Sequence, residues 1–128
     1  MNKYDWLDTY LLSKPGAEKD YKIEWEWFRY MLCGKLFAAV CTPDPKYAPH
    51  NGRTMVILKC DPQLCELYRA QYGDVVPGFY SDKRNWNTVY LDGELPDEML
   101  RKMCDMSYQL IFSKLPKKAQ KQILDGGI

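Results

Sequence analysis

Histidine is almost absent. His50 is the single one in 128 residues, and it lies in a stretch, Thr42 to Gly52, dominated by Pro43, Pro45, Pro49 and the turn pair Asn51, Gly52. A Ser-His-Asp or Cys-His triad would have to use it, and such a base needs a rigid orienting environment. The composition predicts a solvated loop residue instead. Long apolar runs are also lacking: the longest, Leu36 to Cys41, has six residues, against the roughly 20 that a membrane-spanning helix needs. Charge of one sign is not in excess, since 18 Lys plus Arg face 17 Asp plus Glu for a formal net charge of +1. Any attraction for phosphate must then come from a local patch, not from the field of the whole molecule.

Other patterns are missing too. No GxGxxG, GxxxxGK or HExxH string occurs, so nucleotide cradles and metalloprotease chemistry have no sequence support. Five cysteines (Cys33, Cys41, Cys60, Cys65, Cys104) are an odd number and widely spaced. They predict free, buried thiols in a reducing compartment and not a disulfide scaffold. Cys60 and Cys65 are five apart at a strand end and in a first helical turn, but neither a second pair nor a nearby His completes a zinc set. An acidic residue, Asp5, precedes any hydrophobic stretch at the N-terminus. The expectation is a cytoplasmic protein without a secretory leader, a membrane partner, a metal or a small-molecule cofactor.

What is present suits one globular domain over residues 1–128: 15.1 kDa, 46% hydrophobic and 27% charged, with no repeat or linker. Trp6, Leu7, Tyr10 and Leu11 form a helical stripe, with Asn2 as a candidate cap, ended by Pro15 and Gly16. From Tyr21 the pattern alternates through Ile23, Trp25 and Trp27 and continues to Leu32, which predicts one strand. A tight turn at Cys33, Gly34 and Lys35 leads back into Leu36 to Cys41. Arg53 to Cys60 is the next strand. Asp61 and Pro62 start a helix, the carboxylate as cap and the proline where its missing N–H costs nothing; Leu64, Cys65, Leu67 and Tyr68 give its buried stripe. Trp86 to Leu91 is a strand closed by Asp92 and Gly93. Leu95 and Pro96 open the longest helix, with Leu100, Met103, Cys104, Ser107, Leu110 and Ile111 on one face. Lys117 to Leu124 is a short last helix. These elements predict an α+β fold of two layers, a mainly antiparallel sheet covered by helices.

The segment Tyr80, Ser81, Asp82, Lys83, Arg84, Asn85, Trp86, Asn87 differs from the rest, placing two adjacent cations, two aromatics and two amides at a strand entry. Cations for phosphate beside planar rings for bases are ingredients of nucleic-acid contact. The plainer alternative is that Trp86 is core, Tyr80 covers it, and Lys83 with Arg84 solvate a turn. A second basic cluster, Lys114, Lys117, Lys118 and Lys121, has no acid among residues 114–121. A third candidate is the loop with Lys46, Tyr47, His50 and Arg53, which would project like a wing.

Several strings resemble the MmcQ/YjbR family. They are Lys14-Pro15-Gly16-Ala17-Glu18, Gly34-Lys35-Leu36-Phe37-Ala38, Leu58-Lys59-Cys60-Asp61-Pro62, Val76-Pro77-Gly78, Trp86-Asn87-Thr88-Val89-Tyr90-Leu91-Asp92-Gly93, Leu95-Pro96-Asp97 and Ser107-Tyr108. They run in family order from about residue 14 to residue 118. The resemblance implies a small CyaY-like, YjbR-like α+β domain and a DNA-binding role in bacteria, with no enzyme activity. It implies nucleic-acid contacts at Lys59, Tyr80, Lys83, Trp86 and Asn87, to which the residue chemistry adds Arg84. The chain departs from the family where histidines are frequent, carrying Ser81 and Asn85 instead. The alternative is a protein-interaction or chaperone-like domain with no nucleic-acid role, which an exposed apolar patch would favour.

Overall fold

The computed structural model describes residues 3–24, 26–42, 52–78 and 82–126. Among these residues the order is α1 (Tyr4–Leu12), β1 (Ala17–Lys22), β2 (Trp27–Leu32), β3 (Lys35–Cys41), β4 (Met55–Lys59), α2 (Pro62–Gln71), β5 (Val75–Pro77), β6 (Trp86–Tyr90), α3 (Asp97–Phe112) and α4 (Lys117–Leu124). The strands form one antiparallel sheet in the order β1-β2-β3-β4-β6-β5. Helix α3 packs across β3 and β4, α1 against β1, and α2 against β5 and β6. The fold is α+β, as the element order predicts.

The period of two along each strand sorts side chains to opposite faces. Val56, Leu58, Val89 and Leu91 join Leu7, Leu11, Leu100 and Cys104 in the core under the helices. Their neighbours Met55, Ile57 and Tyr90 join Trp27, Ala39 and Cys41 in a second buried layer. A bulge interrupts this alternation. Tyr30 pairs with Ala38 while Met31 pairs with Leu36, so Phe37 has no partner across β2. The extra residue turns both Phe37 and Ala38 toward the helices, where Phe37 meets the edge of Tyr108, ring centroids 5.5 Å apart.

Local chemistry sets the ends of several elements. Asp61 accepts from the Gln63 amide at 3.0 Å ahead of Pro62. The β2–β3 turn carries Cys33 and Gly34 at φ 49° and 76°, the double positive φ of a type I′ hairpin. Gly16 also has positive φ, and a side chain there would press on Leu32 and Ile123.

The structure corrects the expected pattern in five places. The single strand from Tyr21 to Leu32 is two: between β1 and β2 the Glu26 amide closes on the Ile23 carbonyl (3.2 Å) with Glu26 at φ 56°, while Trp25 lies outside the described residues. Alternation runs on across a short hairpin turn and conceals it. Strand β5 is too short to show a period. Leu67 is exposed and Leu110 half-buried, outside the buried stripes of α2 and α3. Cys33 is exposed in its turn while the other four thiols are buried. Helix α1 starts after Lys3 with no side-chain cap, and the candidate cap Asn2 lies outside the described residues.

Candidate nucleic-acid interface

The residues singled out for phosphate and base contact fall at one end of the sheet, where β4 ends, β6 begins and α2 starts. Tyr80, Ser81 and the loop residues Lys46, Tyr47 and His50 lie outside the described residues. The Asp82 carboxylate organises the approach to β6. It accepts from the Arg84 amide at 2.9 Å and from the Asn85 side-chain amide at 2.6 Å, an Asx-type turn. These bonds, with the Arg84 and Lys59 charges, hold its pKa below the usual aspartate value. The Asn85 carbonyl then accepts from the Cys60 amide at 2.7 Å, tying the turn to the end of β4.

Arg69 of α2 clamps the same loop. Its Nε donates to the Asn87 carboxamide oxygen at 2.6 Å, and its Nη2 donates to the Trp86 carbonyl at 3.1 Å and to the Lys83 carbonyl. The Asn87 amide nitrogen in turn donates to the Cys65 carbonyl at 3.3 Å. Asn87 is 3% exposed. It is a bracket between α2 and β6 and cannot read a base edge, which corrects its assignment as a contact residue. Trp86 sits directly opposite Lys59 in the β4–β6 ladder and packs, half-buried, on the second apolar layer.

Lys83 and Arg84 are both exposed. Lys83 Nζ reaches the Gly78 carbonyl at 3.3 Å. With Arg69, Pro62, Gln63 and Glu66 they line a cleft of about 420 Å³ beside the start of α2. Lys59 is half-buried, and the Lys114 ammonium, burial and the Lys35 charge hold its own ammonium less basic than an ordinary lysine. Lys114 and Lys35 were not joined to Lys59 by sequence reasoning. They are 55 and 24 positions away along the chain (114 − 59, 59 − 35).

Lys3, Lys14, Lys19, Lys22, Arg29 and Arg53 all form ion pairs with carboxylates. Among the described residues Lys35, Lys59, Lys83, Arg84 and Lys114 form none, and neither do Arg69, Arg101, Lys102, Lys117, Lys118 and Lys121. Lys59, Lys83 and Arg84 stand near the start of β6, with the Asp82 carboxylate beside them.

The strings that carry the family resemblance have structural work here. Ser107 Oγ, fully buried, accepts from the Lys59 amide at 2.9 Å and donates to the Phe37 carbonyl, satisfying both strands at the bulge. Tyr108 OH donates to the Pro15 carbonyl at 2.5 Å, holding the turn that contains Gly16. Asp74 Oδ2 accepts from the Glu94 and Leu95 amides at 2.5 and 2.9 Å, while Arg53 pairs with Asp92 at 2.6 Å and lies 3.7 Å above the Tyr90 ring.

A six-stranded antiparallel sheet backed by helices defines a small α+β domain of the kind seen in the crystal structure of Deinococcus radiodurans protein DR2400, domain DUF419. That chain superposes with a TM-score of 0.77 at 26% identity, covering 96% of this chain and 88% of that one. A Pseudomonas syringae protein of known structure shares the fold, with a TM-score of 0.71 at 22% identity over 86% of this chain and 98% of its own. The YjbR family model matches residues 12–110, and the chain belongs to the YjbR family. The uncharacterized protein YjbR of Escherichia coli K12 is 36% identical over 118 residues, 92% of this chain and 94% of that protein. The uncharacterized protein YbdF of Escherichia coli O157:H7 is 32% identical over 115 residues, 90% of this chain and 88% of that protein.

Proposed function

We propose that the protein is a DNA-binding domain and not an enzyme, making weak, largely sequence-independent contacts to backbone phosphates through Lys59, Lys83 and Arg84, extended by Lys35 and Lys114. The observation that supports this reading is that Arg69 and the exposed Lys83 and Arg84 line one cleft, none of the three in an ion pair, in a chain whose net charge is only +1. Phosphate contacts position a protein on a duplex and carry no sequence information themselves. Tyr80 remains a proposed contact. Trp86 contributes by packing and Asn87 by holding the loop.

The salt dependence of duplex binding tests this. Three to five neutralised phosphates give a slope of log affinity against log salt of about −3 to −4.5, at about −0.9 per contact. The double variant Lys83→Ala with Arg84→Ala lowers that slope by about 1.8 for every DNA sequence tried. No binding by the parent at low salt, or an unchanged slope in the variant, overturns the proposal.

A protein-docking role has one observation in its favour. Tyr21, Ile23 and Phe28 are 47%, 75% and 37% exposed on the β1–β2 hairpin, beside a groove of about 680 Å³ lined by Tyr4, Tyr21, Glu26 and Phe28. If Tyr21→Ser with Ile23→Ser leaves DNA binding intact but abolishes a chaperone-type suppression of aggregation, that second reading holds.

A further inference from the structure

We propose that the cleft beside the start of α2 seats an unpaired guanine nucleotide, with its phosphate on the side of Lys83 and Arg84 and its base edge on Gln63 and Glu66. The proposal rests on the reading of this end as a phosphate-contacting face. It deepens that reading by naming the base that the same site prefers outside a duplex.

The cleft, of about 420 Å³, has two chemically different walls. Pro62, Gln63, Glu66 and Arg69 line it from one face of α2 at helical spacing, and Lys83 with Arg84 lines it from the loop before β6. Both walls are held in place. Arg69 ties the loop to α2 through the Lys83 and Trp86 carbonyls and the Asn87 side chain, and Asp82 closes the turn on the Arg84 amide at 2.9 Å. Glu66 lies three positions before Arg69, where helical residues of opposite charge usually pair. The guanidinium is turned to the loop instead, and Glu66 forms no ion pair among the described residues. An acid and two exposed cations therefore line one cleft without meeting. A ligand that joins them needs an anion at one end and hydrogen-bond donors at the other.

Phosphate alone does not satisfy such a cleft, because it offers Glu66 only more negative charge. An ionised carboxylate is purely an acceptor with two oxygens, so its best partner is a pair of adjacent N–H groups. Guanine presents that pair on its Watson–Crick edge, N1–H beside the N2 amine, next to the O6 acceptor. The Glu66 carboxylate takes the two donors, and the Gln63 carboxamide, one helical turn away on the same wall, donates to O6. Adenine and cytosine bring a ring-nitrogen acceptor to the carboxylate, and thymine brings a single donor between two carbonyls. In a duplex this edge is occupied by the complementary base, whereas unpaired bases are free to be read there. Duplex binding thus stays indifferent to sequence, and the preference shows on single strands.

Fluorescence anisotropy at low salt with short oligothymidine strands carrying one central guanine, adenine or hypoxanthine tests the site. The expected result is roughly five- to tenfold tighter binding of the guanine strand than of the adenine strand, the lower part of the range for one bidentate base contact. Hypoxanthine, which lacks the N2 amine, falls between them. Glu66→Gln, checked for an unchanged circular dichroism spectrum, loses the difference even though removing an acid beside Lys83 and Arg84 tightens the binding of every strand. Excess guanosine monophosphate lowers the guanine strand to the level of the adenine strand. Equal binding of the guanine and adenine strands by the parent, or a difference that survives Glu66→Gln, overturns the guanine site and leaves the phosphate reading in place. If no strand binds but guanosine monophosphate, unlike adenosine monophosphate, shifts the arginine side-chain resonances, and Glu66→Gln abolishes those shifts, the cleft stands as a site for the free nucleotide and the DNA reading falls. Absence of every one of these signals overturns both.

Discussion

The bracket between Arg69 and Asn87 allows a quantitative test of whether the polar strand entry is built for stability or for base contact. Asn87→Leu keeps the side-chain size and removes the acceptor of a charged hydrogen bond, 2.6 Å long, at a position 3% exposed. A hydrogen bond to a charged group contributes about 1.5–3 kcal/mol, and an unsatisfied partner adds to the loss. The Cys65 carbonyl loses its Asn87 donor as well, so the expected cost is about 2–3 kcal/mol. Arg69→Met removes the same bond and those to the Trp86 and Lys83 carbonyls. Arg69 is only partly buried, and water replaces some of this, which leaves about 2–3 kcal/mol. Because the two changes delete one shared bond, the double variant should fall short of their sum by about 1.5 kcal/mol. At about 4 °C per kcal/mol for a domain of this size, each single variant melts roughly 8–12 °C below the parent. Urea unfolding of all four proteins measures the cycle. Additivity within about 0.5 kcal/mol, or an Asn87→Leu protein of parental stability that no longer binds DNA, refutes the structural assignment of Asn87.

Ser107→Ala strands the Lys59 amide and the Phe37 carbonyl at the bulge and should cost about 2–4 kcal/mol in urea unfolding; parental stability would mean that the bulge closes without it. Trp86→Ala should cost about 1.5–3 kcal/mol, less than the roughly 3–5 of a fully buried Trp, because the ring is half-buried; a loss above that range would place it fully in the core. Native protein should react with a thiol reagent at Cys33 and, among the described thiols, resist at Cys41 and Cys60, which burial pushes up to about 12, while five thiols titrate after unfolding; fewer than five would reveal a disulfide. Burial acts to raise the pKa of Asp8, but hydrogen bonds from Lys19, Tyr30 and Tyr4 outweigh it and hold the group below its ordinary 3.8. A depressed carboxylate stabilises above its unfolded value, and the contribution is lost as pH falls through the folded one. Asp8→Asn should therefore flatten the drop in melting temperature below about pH 4, and an unchanged acid limb would show that Asp8 is not linked to it.

Local chemistry was enough to place much of this chain. The Asp61-Pro62 cap, the Cys33-Gly34 turn and the bounds of α4 each depend on residues within a few positions, so their causes are adjacent in sequence. The strand faces of Val56, Leu58, Val89 and Leu91 also follow from a period of two that any burial of one face must respect. Tertiary structure decided the rest. Whether residues 21–32 make one strand or two depends on the pairing of Lys22 with Trp27, which alternation permits but does not require. The bulge at Phe37 exists because β3 must match β2 while turning an aromatic ring toward Tyr108, a partner 71 positions along the chain (108 − 37). Asn87 looks like a base reader in a polar string until Arg69 arrives from α2 to bury it. Sequence reasoning put Lys59 and Lys114 in separate candidate clusters, and only the packing of α3 across β3 and β4 brings the end of that helix to the same strands as Lys59. Electrostatic fields depend on distance in space, so which of the chain's cations stand near one another is decided by the fold and not by its net charge.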